Sequence, residues 1–256
     1  MSFDVAAGQY DRFIGRYSEA LAPRFIAFSG VEVGPVLDVG CGPGSLTAAL
    51  ATRLGAARVS AVDPSAPFVA ACRARVPGAD VRASGGEALP FADRSFEAAL
   101  SQLVLSFVRE PDRFMAELVR VVRPGGLVAA CTFEAQGFEL VRTFWEAARR
   151  FDPSAPDDAS LPFRREGELT ALFERSGLGE IRTGAIEVEA RYASFEDLWR
   201  PLEAGIGPAA GYLVAQTAGR QSALHVACRE LLGDPSGPFT LPARIIAVRG
   251  RTGPAR

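Results

Sequence analysis

The stretch Val36-Leu37-Asp38-Val39-Gly40-Cys41-Gly42-Pro43-Gly44, followed by Ser45-Leu46-Thr47-Ala48-Ala49-Leu50, decides how the chain is read. An apolar strand runs into a glycine-rich turn, and a helix opens behind it with Gly44 or Ser45 near its N-cap. Glycines suit this corner because a sharp strand-to-helix turn needs unusual backbone angles. They also let a ligand approach the backbone without meeting a Cβ. The helix N-terminus adds free N–H groups and the positive end of a dipole. A dinucleotide fingerprint, G-x-G-x-x-G, would need its third glycine where Ser45 stands. Asp38, at the carboxyl end of the strand, would repel a pyrophosphate and attract a cationic amino-acid group.

Working outward, Arg58 to Asp63 reads as a second strand that ends in a carboxylate. Asp63 lies close to where an acidic residue accepts hydrogen bonds from ribose hydroxyls. Asp63-Pro64-Ser65 also suits a helix start, with Asp63 as its cap. Val81–Ala83, Glu97–Gln102 and Leu127–Phe133 read as further strands. A helix beginning at Pro111-Asp112-Arg113 stops at Arg123-Pro124-Gly125-Gly126. This alternation predicts an α/β chain with a doubly wound, mostly parallel Rossmann-like sheet. Ligands bind such sheets at the carboxyl ends of the strands, where Gly40, Asp63, Gly85 and Gln102 fall.

The flanks depart from alternation. In residues 1–30, Tyr10, Phe13, Ile14, Tyr17 and Leu21 sit at helical spacing. That helix either packs on the core or forms a lid with the hydroxyls of Tyr10 and Tyr17 over a ligand. Beyond residue 133 the pattern predicts a helix over Leu140–Phe151 carrying Trp145, and a Pro/Asp/Ser loop over 152–162. A helix over Glu168–Arg175, a strand over Glu180–Ala190, helices within 194–232 and a last strand over Phe239–Val248 follow, then a mobile tail after Arg249.

Composition narrows the function. The 256 residues, 48% of them hydrophobic, suffice for one generous domain with a full core. All 28 basic residues are arginine, so Schiff-base chemistry on lysine is excluded. A net charge of −2 argues against nucleic-acid binding by phosphate neutralisation. No apolar run reaches the ~18 residues of a membrane span, and the N-terminus lacks a secretory pattern. Cys41, Cys72, Cys131 and Cys228 are far apart, as expected of free thiols in a reducing cytoplasm. One histidine and no C-x-x-C pair argue against a metal site.

Three blocks in order, Val36–Gly44, Glu87-Ala88-Leu89-Pro90-Phe91 with Ser95-Phe96, and Arg120-Val121-Val122-Arg123-Pro124-Gly125-Gly126, resemble the class I S-adenosylmethionine (SAM) dependent methyltransferases. The likeness is to the UbiE/Coq5-like, type 11 group. Tyr10–Ser18 and Ala243–Gly250 add a likeness to a bacterial subgroup of it. The resemblance implies a seven-stranded sheet with a terminal antiparallel hairpin in one domain. Within it, 1–30 is a helical lid, 31–135 the SAM-binding core and 191–238 a helical insertion capping the substrate. It further implies that Asp38, Gly40 and Gly42, with Cys41 between them, hold the methionine end of SAM. Asp63, with Pro64 beside it, takes the ribose, and Gly86 and Glu87 flank the adenine. Ser101, Gln102 and Leu103 line the methyl-transfer site, under Tyr10 and Tyr17. The family usually carries Gly-Asp-Ala before Glu-Ala-Leu-Pro-Phe, and that aspartate accepts from the adenine amino group. Ser84-Gly85-Gly86 lacks it, which predicts weakened SAM binding.

The expected activity is methyl transfer to O, N or C of a small, partly apolar molecule, with no nucleic acid involved. The chief rival is a SAM-fold binding protein without catalysis. A nicotinamide-dependent oxidoreductase is disfavoured by the glycine spacing and Asp38. No residue stands out as catalytic. His225, Glu134, Tyr10 and Tyr17 are candidate bases, and His225 lies on a helix of the insertion. Phe133, Phe138, Phe144, Trp145, Trp199 and Tyr212 suit either an apolar pocket or a plain core.

Overall fold

The computed structural model describes residues 7–205 and 207–254. A short helix, α1 (Ala7–Tyr10), passes through a π turn, Asp11–Gly15, into α2 (Arg16–Ser29). The alternating core follows: β1 (Val36–Val39), α3 (Ser45–Leu54), β2 (Val59–Asp63), α4 (Ala66–Arg75), β3 (Asp80–Ala83), β4 (Phe96–Gln102), α5 (Pro111–Val121) and β5 (Val122–Phe138). Then come α6 (Glu139–Arg149), α7 (Glu168–Arg175), β6 (Gly179–Tyr192), α8 (Phe195–Trp199), α9 (Gly207–Val214), α10 (Ala218–Leu231) and β7 (Phe239–Arg251).

The seven strands form one sheet in the order β3-β2-β1-β4-β5-β7-β6. Strands β1 to β5 pair in parallel, and β7 runs antiparallel to both β5 and β6. This is the doubly wound architecture that the alternation implies. The connection between the two terminal strands is no tight hairpin, because α8, α9 and α10 lie within it.

Side chains alternate across each strand, so the sheet feeds two cores. Val36, Leu100, Ala129 and Ile245 meet α2, α3, α6 and the insertion on one face. Leu37, Val39, Ala99 and Val128 meet α5 and α7 on the other. Phe144, Trp145 and Trp199 are core residues, each at most 3% exposed. Among the described residues, no helix is long and apolar enough to cross a membrane.

The C-terminal segment corrects an expectation. Far from trailing away after Arg249, β7 continues to Arg251 and Thr252 is buried. The Thr252 hydroxyl donates to the carbonyl of Arg123 (2.6 Å) and accepts from the N–H of Gly126 (3.1 Å). These bonds also explain why β5 begins before its apolar run. They extend pairing into the Pro124-Gly125-Gly126 corner, with Gly125 N–H donating to the carbonyl of Thr252 (3.1 Å).

Candidate functional site

A cavity of about 1330 Å³, counting its open mouth, lies over the carboxyl ends of β1, β2, β4 and β5.

Its floor is the glycine turn. Gly40 and Cys41 both donate their N–H to the carbonyl of Val62 (2.8 and 2.9 Å), which folds the turn over β2. Gly42 has φ +52°, and a Cβ built on it would meet nothing within 4 Å. The backbone therefore lies open to the cavity at Gly42, which lines it. Asp63 receives the N–H of Gly42 on Oδ2 and that of Ser65 on Oδ1, both at 2.9 Å. Burial raises the Asp63 carboxyl above its usual range, opposed by those two backbone donors. The N-cap position of α4 falls to Ser65, not Asp63. Asp63 thus braces the turn with one lone pair on each oxygen and still faces the cavity.

Four of the expected site residues do not line the cavity. Asp38 is fully buried beneath the wall, not on it. Its Oδ2 accepts from the Thr47 hydroxyl at 2.6 Å, and its Oδ1 has no partner. Burial pushes its carboxyl up to about 7, with the Thr47 hydrogen bond opposing. Cys41 points its thiol into a cluster with Ala61, Val69 and Cys72, away from the cavity. Ser101 is buried and donates to the carbonyl of Val39 at 3.0 Å, tying β4 to β1. Tyr17 is fully buried, its ring edge-on to Phe138 (5.1 Å between centroids) and its hydroxyl against that of Tyr192 (3.4 Å).

The misplacement of Tyr17 has a clear cause. In an unbroken α-helix, residues seven apart share a face. The π turn at Asp11–Gly15 takes i→i+5 bonds and one extra residue, which rotates α2 relative to α1. Tyr10 therefore faces the cavity beside Phe68 (5.2 Å between ring centroids), while Tyr17 turns into the core. Burial raises the Tyr10 phenol, against a hydrogen bond with Ser18.

The remaining expected residues do meet on the wall: Gly40, Gly42, Asp63, Pro64, Gly86, Glu87, Gln102 and Leu103, with Tyr10. Leu103 sits at φ +63°, a strained angle for a non-glycine residue, with its N–H held by the carbonyl of Cys131 (2.9 Å). Gln102 donates from Nε2 to the carbonyl of Ser18 (3.1 Å), while its buried Oε1 has no partner. A Cβ on Gly86 would lie 2.1 Å from the Phe114 ring. A Cβ on Gly85 would stand 3.2 Å from Oε2 of Glu87 and near nothing else within 4 Å. The Glu87 carboxylate therefore occupies the space that a side chain at 85 would enter.

The opposite wall was foreseen only as a general substrate cap from the insertion 191–238, which contributes Pro208 and Ala209. Phe133 and Phe138 stack at 4.0 Å between centroids, and Phe13, Val141, Pro208 and Ala209 join them. Thr132, Asp158 and Arg164 supply its polar groups. Phe133 and Phe138, aromatics of β5, and Phe13 of the N-terminal helix carried signals that fitted core packing equally. His225 and Glu134 are not on this wall. His225 Nε2 lies 2.9 Å from Glu196 Oε1, between Phe195 and Trp199, and Glu134 pairs with Arg244 at 3.4 Å.

These groups fit SAM. An orphaned buried carboxylate oxygen lies under bare backbone, a second carboxylate faces the cavity, and an aromatic ring covers it. Residues 37–130 match the family model described as a methyltransferase domain. The chain is 30% identical over 183 residues to the malonyl-[acyl-carrier protein] O-methyltransferase of Salmonella typhimurium, covering 68% of this chain and 72% of that protein. A candidate type II methyltransferase of Anaeromyxobacter dehalogenans superposes with a TM-score of 0.64 at 23% identity, over 94% of this chain and 97% of that one. The phosphoethanolamine N-methyltransferase 2 of Haemonchus contortus, solved with S-adenosylhomocysteine (SAH), gives 0.58 at 16% identity, over 99% of this chain and 58% of that one. With its glycine turn, its sheet order and these kinships, the chain belongs to the class I SAM-dependent methyltransferases.

Proposed function

We propose that this methyltransferase acts on a small, partly apolar acceptor and places the methyl group on oxygen. The observation that carries this reading is the division of the cavity. One wall is bare backbone with Asp63 and Glu87, and the other is Phe133, Phe138, Phe13 and Val141. Oxygen is favoured because O-methylation is the reaction in the name of the Salmonella relative.

In this reading Gly40 and Gly42 hold the methionine end above Asp38, whose orphaned Oδ1 awaits a donor. Asp63 takes the ribose hydroxyls with its free lone pairs. Pro64, Gly86 and Glu87 enclose the adenine, and Tyr10 covers it. Gln102 and Leu103 stand at the methyl end. SAM supplies an already activated methyl group, so the protein's task is orientation and exclusion of water. Orientation alone is worth roughly 7–11 kcal/mol of barrier. The four buried free cysteines accord with a reducing, cytoplasmic setting.

Calorimetry with SAM and SAH on wild type and Asp63→Asn tests the assignment. Wild type binds both, and the variant binds at least about tenfold more weakly, since a hydrogen bond to a charged group is worth ~1.5–3 kcal/mol. No heat from either ligand with wild type would overturn the cofactor assignment.

A further inference from the structure

Arg164 is 4% exposed, lines the cavity and leaves its Nε without a partner. Buried cations are rare unless paired and hydrogen-bonded. Its nearest carboxylate oxygen, Oδ2 of Asp158, stands 4.0 Å from one terminal nitrogen, beyond hydrogen-bond reach. Asp158 spends its other oxygen on the indole N–H of Trp145, at 2.8 Å. The guanidinium lies 5.9 Å from the Phe133 ring centroid.

The backbone fixes the base of this side chain. Phe163, just before it, sits at φ +63°, a strained angle for an aromatic residue. The hydroxyl of Thr132 donates to the carbonyl of Phe163 (2.6 Å), and the N–H of Ala135 donates to that of Arg164 (2.8 Å). Two bonds from the end of β5 thus hold a strained loop whose product is an unsatisfied guanidinium on the acceptor wall.

We infer that Arg164 binds the carboxylate of the acceptor, and that this carboxylate is the oxygen nucleophile. The inference rests on the methyltransferase reading above. A planar carboxylate matches the guanidinium fork. Asp63, Glu87 and Asp158 already put carboxylates on the cavity, so a monoanionic acceptor is held beside Arg164 at less electrostatic cost than a phosphate dianion. A neutral hydroxyl would have to give up a proton to a base such as Asp158, whereas a carboxylate has none to lose. A carboxylate oxygen gives its electron pair to the methyl carbon, the carbon–sulfur bond breaks with its pair staying on sulfur, and an ester forms without any proton moving.

The test titrates SAH-loaded wild type with hexanoate and phenylacetate, and in parallel with methyl hexanoate, hexanamide and 1-hexanol, followed by calorimetry. Each titration is repeated without SAH, and on Arg164→Met and Arg164→Met/Asp158→Asn. The double variant removes the buried charge that the single one strands, and its new amide oxygen can still accept from Trp145. The acids bind wild type, the neutral analogues bind at least about tenfold more weakly, and both variants lose the acids by a similar factor while still binding SAH. Equal binding of acid and neutral analogue, undiminished acid binding by the variants, or no acid binding to SAH-loaded wild type would overturn the inference. Acid binding without SAH binding would instead sink the methyltransferase reading and leave the role of Arg164 standing.

Discussion

Truncating Glu87 is the sharpest probe of the cofactor site. Its Oε2 lies 3.2 Å from where a Cβ on Gly85 would stand. Gly85 stands where the family pattern has its adenine-binding aspartate, and on the proposed cofactor placement Glu87, two residues further on, would supply the acceptor. A hydrogen bond to a carboxylate is worth ~1.5–3 kcal/mol, or roughly 10- to 150-fold in affinity. Glu87→Ala is therefore predicted to weaken SAH by at least about tenfold. Gly85→Asp in that background should recover most of the loss. Gly85 does not have a positive φ, and the only atom within 4 Å of the added Cβ is the oxygen that the first substitution removes. Gly85→Asp alone should gain nothing, because two carboxylates would crowd one donor. The assay is calorimetry with SAH against S-inosylhomocysteine, which replaces the adenine amino donor by an oxo group. Wild type should prefer SAH by a similar factor, Glu87→Ala should lose that preference, and the double variant should regain it. An undiminished preference in Glu87→Ala would refute the reasoning, since generic damage to the pocket weakens both ligands alike.

Asp38 gives a pH signature. Its folded carboxyl is raised by burial to about 7, against an ordinary 3.8, so the folded state holds the proton through that window. The fold is then favoured at low pH and loses stability as pH rises from about 4 to 7, by on the order of 1 kcal/mol per unit. Asp38→Asn should remove that slope in ligand-free denaturant titrations, and an unchanged slope would count against it. Gly86→Ala should destabilise by about 1–3 kcal/mol, because its Cβ would overlap the Phe114 ring, and SAH affinity should fall with it. Full stability in urea would refute that overlap. Thr252→Ala should cost roughly 1–3 kcal/mol for two lost hydrogen bonds at a buried corner, measured by urea unfolding with the m-value unchanged.

The sheet was legible because glycine corners and apolar runs mark each βα unit locally, and parallel pairing follows from crossover lengths. Gly42, Asp63 and Pro64 were legible for the same reason, each at or just past a strand end, while Glu87 followed from the family resemblance. Facing was harder. Asp38 is tied down by the Thr47 hydroxyl and Ser101 by the Val39 carbonyl, both below the cavity, and Cys41 is turned by the Val62 carbonyl that seizes its N–H. Tyr17 fell to a π turn that side-chain spacing cannot announce. The opposite wall was readable only in outline, as aromatics after the fourth strand and an insertion capping the substrate. Arg164, Asp158 and Pro208 come from loops and an insertion with no shared motif, and only tertiary packing assembles them.

The strand order has a consequence for synthesis. Helix α2 precedes every strand in the chain, yet Tyr17, Leu21 and Phe25, all fully buried, cover the sheet near β6 and β7, which follow all the other strands. The Tyr17 hydroxyl meets Tyr192 of β6, Arg16 clasps Asp197 of α8 at 2.6 Å, and Arg249 of β7 donates to the carbonyl of Ser29. A nascent chain must therefore carry an uncovered aromatic stripe until its final strand leaves the ribosome. A helix that precedes every strand is completed by the strands that follow all the others, and the βα units between them assemble with one layer still open.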